Sequence, residues 1–254
     1  MTDQTWTLSS DEFAWLWTRE TDKDAYGYPD PILVRETART TAEYERVVER
    51  CHTRFARPDN ELSSAFAVMS GAELRVRCFG SLRDGGTVRS HGAATATDGA
   101  VVFQRTDAAG TGGEITLVLT SRHTVPVHIA ATMPPTPAGR ASRMVGYTPR
   151  VRGEEQPSTW RLAADGRAPV EERIRSLMRA PRSAEGQLVI ERGYRHEPPR
   201  YLSWIDISEG RKASGRYLVD VDDNDVTVTP VSMGAIVQMV SSVGGFDRAE
   251  AERL

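Results

Sequence analysis

Lysine is almost missing from this chain of 254 residues. Lys23 and Lys212 are the only two, so the other thirty of its 32 basic residues are arginine. Such a bias fits a GC-rich genome, and it removes arginine richness as an argument for phosphate binding. The net charge of -3 offers no global field to recruit nucleic acid or an anionic membrane. Cysteine is scarce as well. Cys51 and Cys78 cannot build a zinc framework unaided, and each falls at an apolar position of its element, where a buried free thiol is expected and a reactive thiolate is disfavoured. No run approaches the ~20 apolar residues of a membrane helix, and "MTDQTWTLSSDEF" has no basic, then apolar, leader pattern. A cytoplasmic protein is expected. Hydrophobic residues at 39% and charged residues at 26% exclude wholesale disorder.

The signatures of catalysis are missing too. There is no G-x-x-x-x-G-K-[ST], no H-E-x-x-H and no G-x-S-x-G. The glycines at 110, 112 and 113 lie between two strands, where a dinucleotide site needs a strand, a loop and a helix. They read as a hairpin loop. His52, His91, His123, His128 and His196 share no metal-ligand spacing. "DVDDND" at 220–225 resembles a calcium loop but lacks its glycine and its closing glutamate, so it reads as a solvated turn. The basic segment at 140–152 has no interleaved aromatics of the kind that grip single strands. No cofactor, metal or nucleic-acid partner is expected.

What the chain does contain is periodicity. Ser9-x-x-Glu12 and Thr40-x-x-Glu43 are capping boxes. Behind the second, Tyr44, Val47, Val48, Cys51 and Phe55 form an amphipathic stripe that should pack on a neighbour. A shorter helix carries Leu62, Phe66 and Met69 to Gly71. The period then changes to two. In "ELRVRCF", Leu74, Val76 and Cys78 face one way, Arg75 and Arg77 the other. A meander follows, with Asp98-Gly99 expected as a hairpin turn, and then an apolar segment, "VPVHIAATM", expected to be helical. The Pro- and Gly-rich stretch 134–167 reads as a connection with an edge strand near Met144–Tyr147. A helix at about 168–179 opens the next unit, followed by four strands and a last helix with Ser232 as its cap and Gly244-Gly245 at its end. In the hairpin "SEGRKASGR", Arg211, Lys212 and Arg216 read as a solvated rim.

The order helix, four strands, helix thus occurs twice, with "AELRVRCF" matching "GQLVIERG" and "EITLVLTS" matching "DVTVTPVS". This predicts an α+β fold of two similar subdomains about a pseudo-twofold axis, with a central antiparallel sheet flanked by helices. The expected bounds are a single domain over 1–254, an N-terminal half at 1–133, the connection at 134–167 and a C-terminal half at 168–254.

The segments "LSSDEFAWLW", "GQLVIERGYR", "SWIDISEGRKASGRYLV" and "VTVTPVSMGAIVQMV" resemble the ESX secretion-associated EspG family of actinobacteria. The resemblance rests on Gly186-Gln187, Asp206, Gly215-Arg216-Tyr217 and Pro230, and it runs in order through nearly the whole chain. It implies a cytosolic chaperone of type VII secretion that is not an enzyme. Such a chaperone covers the apolar tip of a secreted helical hairpin, the PPE subunit of a PE–PPE heterodimer, and acts as monomer or homodimer. Family surfaces involve the central sheet and the C-terminal helical region. By position the resemblance therefore points to Trp204, Tyr217, Met233, Ile236, Val237, Met239 and Val240 as partner-binding residues. Two alternatives stand beside it. One is a small-molecule enzyme using Asp206, His196 and Arg211; the other is a structural protein that self-associates through open sheet edges.

Overall fold

The computed structural model describes residues 2–21, 23, 27–106, 112–156, 166, 168–193, 197–222 and 224–247. His196 of the enzyme alternative, the Gly-rich loop at 107–111 and most of 157–167 lie outside them. The first half runs β1 (Gln4–Leu8), α1 (Ser10–Thr21), α2 (Thr41–Arg54), α3 (Asn60–Gly71), β2 (Leu74–Leu82), β3 (Thr87–Ala94), β4 (Asp98–Thr106), β5 (Gly112–Ser121) and α4 (Val125–Thr132). The second runs β6 (Met144–Tyr147), α5 (Thr148–Arg152), α6 (Val170–Met178), β7 (Arg182–Arg192), β8 (Arg200–Ile207), β9 (Gly215–Val221), β10 (Asp225–Pro230) and α7 (Met233–Gly244). All ten strands join in one antiparallel sheet, ordered β1-β5-β4-β3-β2-β7-β8-β9-β10-β6.

That order is the same read outward from the middle in either direction. β2 and β7 pair at the centre, from Leu74 opposite Arg192 to Leu82 opposite Ala184, so the pseudo-twofold passes near the Cys78–Leu188 pair. The expected repeat is there, with β2 matching β7 and β5 matching β10. The sheet also has a strand at each edge. β6 falls at the predicted edge position inside the connection. Its counterpart β1 was hidden in the polar N-terminus, because an edge strand buries little: of its five residues only Leu8 is buried.

Local signals behave as the chemistry requires. Ser9 and Glu12 cap α1 reciprocally, Thr40 and Glu43 do the same for α2, and the Ser232 hydroxyl accepts from Ala235 N at 3.2 Å at the start of α7. One expectation fails. Asp98-Gly99 is not the turn between β3 and β4; Thr95–Thr97 turn the chain and Asp98 opens β4. Gly99 is instead floor space. A Cβ there would stand 2.4 Å from Val125 Cγ2, so α4 could not lie down on the sheet. The α2 stripe packs on a neighbour as expected, and that neighbour is α1, with Trp15 against His52 and Phe55. Val47 and Cys51 are buried, Val48 and Phe55 are half-buried and Tyr44 is exposed.

The sheet carries three apolar clusters. On one face α4 and α7 pack against each other over the middle strands, burying Val76, Cys78, Leu188, Trp204, Ile129, Ile236 and Val240. On the other face α1 and α3 cover β3–β5, and α6 covers β8–β10. Both cysteines are free and buried. Burial pushes the Cys78 thiol up to about 12, against the opposing pull of Arg216 and the Trp204 indole N–H. α7 is fixed at its C-terminus by arginines from both halves. Arg122 of the first donates to the Gly245 carbonyl and Arg192 of the second to the Val243 carbonyl, placing positive charge where the helix dipole favours it.

Candidate docking surface

Of the residues in the segments that carried the family resemblance, Gly186, Trp204, Asp206 and Arg216 share the sheet face under α4 and α7, whereas Tyr217 lies on the opposite face in the cluster under α6. Trp204 lies flat across two glycines of adjacent strands. A Cβ on Gly80 would meet its ring at 2.4 Å and one on Gly186 at 2.6 Å, and the Gly186 Cβ would also stand 2.1 Å from the Phe79 carbonyl oxygen, so Gly186 holds its place because the neighbouring strand and the indole fill the space beside it. Asp206 and Arg216 face each other on β8 and β9 and form a two-pronged ion pair, 2.7 and 2.6 Å, with both side chains fully buried. Arg216 also donates to the Pro134 carbonyl at 2.7 Å, and the Thr136 hydroxyl donates to Asp206 at 2.8 Å. The pair therefore pins the start of the connection onto the second half. The Tyr217 ring presses on Gly139, and its hydroxyl donates to the Ala213 carbonyl and accepts from Ala141 N.

This corrects three readings. Arg216 is not on a solvated rim; only Arg211 and Lys212 are. Asp206 is locked in its ion pair, whereas Arg211 is exposed, so the enzyme alternative loses its acid. Of the seven partner-binding candidates, Trp204, Tyr217, Ile236 and Val240 lie in the chain's own core, so none of them is a surface contact in this conformation. Met233, Val237 and Met239 remain half-exposed along α7 while packing against the same cluster.

The accessible apolar surface is on the opposite face of the sheet. Between the helices over β3–β5 and the helix over β8–β10, no helix among the described residues packs over the middle strands β2 and β7 on this face. The residues of this phase are Arg75, Arg77 and Phe79 on β2 and Gln187, Val189 and Glu191 on β7, continued by Tyr201 and Ser203 on β8, and of these Val189 is buried beneath its neighbours. Phe79 is 43% exposed and Tyr201 53% exposed, and Val221 on β9 adds a third exposed apolar side chain. Sequence reasoning missed Phe79 and Tyr201, although a signal was there. Each falls in the polar phase of its strand, in step with Arg75 and Arg77 or with Ser203, where a large apolar side chain has no core to enter.

One rim of this open face is the loop at 27–36. Arg77 bridges Asp30, at 2.8 Å, and Glu191; Arg89 donates to the Pro31 carbonyl at 2.9 Å. His91 Nδ1 lies 2.7 Å from the Asp30 carbonyl, which can only accept, so this nitrogen carries the proton. Burial pushes the ring down to about 4, helped by Arg75 and Arg77 and opposed by Asp30. Because the folded value lies below the unfolded one near 6.5, the stability this histidine contributes is present above about pH 6.5 and is lost as pH falls toward 4. The expected loss is up to about 3 kcal/mol. Equilibrium unfolding between pH 7 and 4 checks it: His91→Gln should flatten that part of the profile, and an unchanged slope would remove His91 as the cause.

The model of the EspG family matches residues 9–242. The chain belongs to the EspG family. No curated protein matches. Among solved structures, the Mycobacterium tuberculosis type VII secretion system chaperone EspG5, solved in complex with a PE25–PPE41 dimer, matches over 95% of both chains with a TM-score of 0.55 and 14% identity. At that identity the match shows a shared fold. A peroxisomal multifunctional enzyme type 2 from Drosophila melanogaster matches over 90% of this chain and 48% of its own at 12% identity, with a TM-score of 0.18, too low to bear on anything here. This EspG-family chain has no helix, among the described residues, long and apolar enough to cross a membrane, and no metal-ligating cluster among them.

Proposed function

We propose that this EspG-family chain is a chaperone of type VII secretion that binds the PPE subunit of a PE–PPE heterodimer, or an analogous secreted helical hairpin, on the open face of its central sheet. The observation that carries the reading is that face. Among the described residues no helix lies over β2 and β7 there, and Phe79 on β2, Tyr201 on β8 and Val221 on β9 stand exposed beside charged side chains. Exposed apolar groups within a polar surround mark a surface made to be covered by another protein. The match to a chaperone solved with its PE–PPE dimer supports the choice of partner. In this reading the chain works in the cytoplasm as a binding protein without a catalytic role. Its halves, 1–133 and 168–254 with 134–167 between them, act as one unit. Met233, Val237 and Met239 on α7 stay as a secondary contact row.

The test is co-expression with a PE–PPE pair from the same genome. A stable ternary complex on size exclusion is expected, with the PPE subunit insoluble or aggregated when the chaperone is left out. If every such pair from the host remains soluble alone and elutes apart from this protein, the reading fails.

A further inference from the structure

At the end of the open face nearest the 27–36 loop, a cavity of about 230 Å3 lies between α1, α3, β2, β3 and β7. Its wall is polar in an unusual way. Three of its side-chain nitrogens are buried and have no hydrogen-bond partner among the described residues: Trp17 Nε1, Arg77 Nε and His91 Nε2. Buried donors without acceptors are rare, because each forfeits its hydration. Trp17 is 1% exposed, and a Cβ on Gly27, another wall residue, would stand 3.5 Å from its Nε1, so the indole N–H is turned toward the cavity wall. The charges agree. Lys23, Arg75 and Arg77 set three cations around the space against two carboxylates, Asp30 and Glu191. One positive charge is left over among the described residues, with the His91 ring neutral at neutral pH.

We propose that this cavity is a binding site for a single carboxylate group, held by the Trp17 indole N–H and the guanidinium groups of Arg75 and Arg77. One surplus positive charge matches a monoanion better than a phosphate dianion. The N–H donors supply what two carboxylate oxygens accept. The lone pair of His91 Nε2 is the one acceptor without a donor on this wall, and an ordered water between it and the acid satisfies both. The cavity opens onto the strands that carry Phe79, since Arg75 and Arg77 share their face of β2. Two sources can therefore supply the same chemistry: a free small carboxylate, or an acidic side chain of a protein seated on the open face.

The experiment uses the full-length, nitrogen-15-labelled protein alone, so its result does not depend on the chaperone reading. Acetate is titrated against chloride at matched ionic strength and pH, and the indole N–H signals of the five tryptophans are followed. The Trp17 signal is the one missing from Trp17→Phe. A saturable shift of that signal is expected, and Arg75→Ala should weaken the response about tenfold. If Trp17→Phe does not fold, Arg75→Ala still identifies the signal by its lost response. No saturable shift of any indole signal, or one that Arg75→Ala leaves intact, overturns the proposal. Repeating the titration on the complex with a client separates the sources. A client that fills the cavity holds the Trp17 signal at its shifted position and abolishes the acetate response. A free carboxylate as ligand leaves the response in place.

Discussion

Replacing Arg216 with Met is expected to cost about 3–5 kcal/mol of folding stability, although the substitution touches no surface. The variant leaves Asp206 as a buried carboxylate whose one remaining side-chain partner among the described residues is the Thr136 hydroxyl. It also releases the Pro134 carbonyl, so the start of the connection loses its tie to β9. Equilibrium denaturation in urea measures the loss, as a lower midpoint with an unchanged slope if two-state behaviour holds. Removing both charges together should be much milder. In Asp206→Leu/Arg216→Met no charge is stranded, and an apolar pair of similar size can refill the site at little net cost. If the double variant is as unstable as the single one, the penalty comes from lost packing rather than from an orphaned charge, and this account of the pair is wrong.

The same residues explain how far the sequence could be read. Gly186, Asp206, Gly215, Arg216 and Tyr217 carried the family resemblance. They are packing residues on both faces of the sheet: a tryptophan across two glycines with an ion pair beside it on the face under α4 and α7, and a tyrosine against Gly139 on the face under α6. That is why they speak for the fold and leave the docking surface unmarked. Period-two alternation in β2 and the helical stripe of α7 were legible because burial on one side imposes them. It could not be read from either element which side of the sheet would receive a second layer. Nothing local says that α4 and α7 meet across the pseudo-twofold and close one face over β2 and β7, while the helices on the other face stop short of the centre. Arg216 shows the same limit. In sequence it is one of three basic residues in a hairpin. Its burial follows from standing opposite Asp206 in the β8–β9 register, and that register is set by the turn and by long-range packing.

An aspartate placed on either face of the sheet should therefore have opposite consequences. At Ile236, which is fully buried under α7, Ile236→Asp forces a carboxylate into the cluster of Val76, Leu188 and Trp204 with no partner, and a loss beyond about 4 kcal/mol is expected. Such a protein should be insoluble or molten when expressed. On the open face, Phe79→Asp and Tyr201→Asp replace side chains that already meet water over much of their surface. These variants should keep the wild-type circular dichroism spectrum and unfold within about 0.5 kcal/mol of it. Their cost should appear in client binding. Exposed aromatics that become buried at an interface often dominate its energy, so each variant should weaken the PE–PPE complex by about 2 kcal/mol, roughly thirtyfold in dissociation constant. Isothermal titration against the purified pair separates the outcomes. A folded Phe79→Asp/Tyr201→Asp double variant that binds like wild type would move the client to another surface, and the half-exposed row of Met233, Val237 and Met239 along α7 would be the next to test.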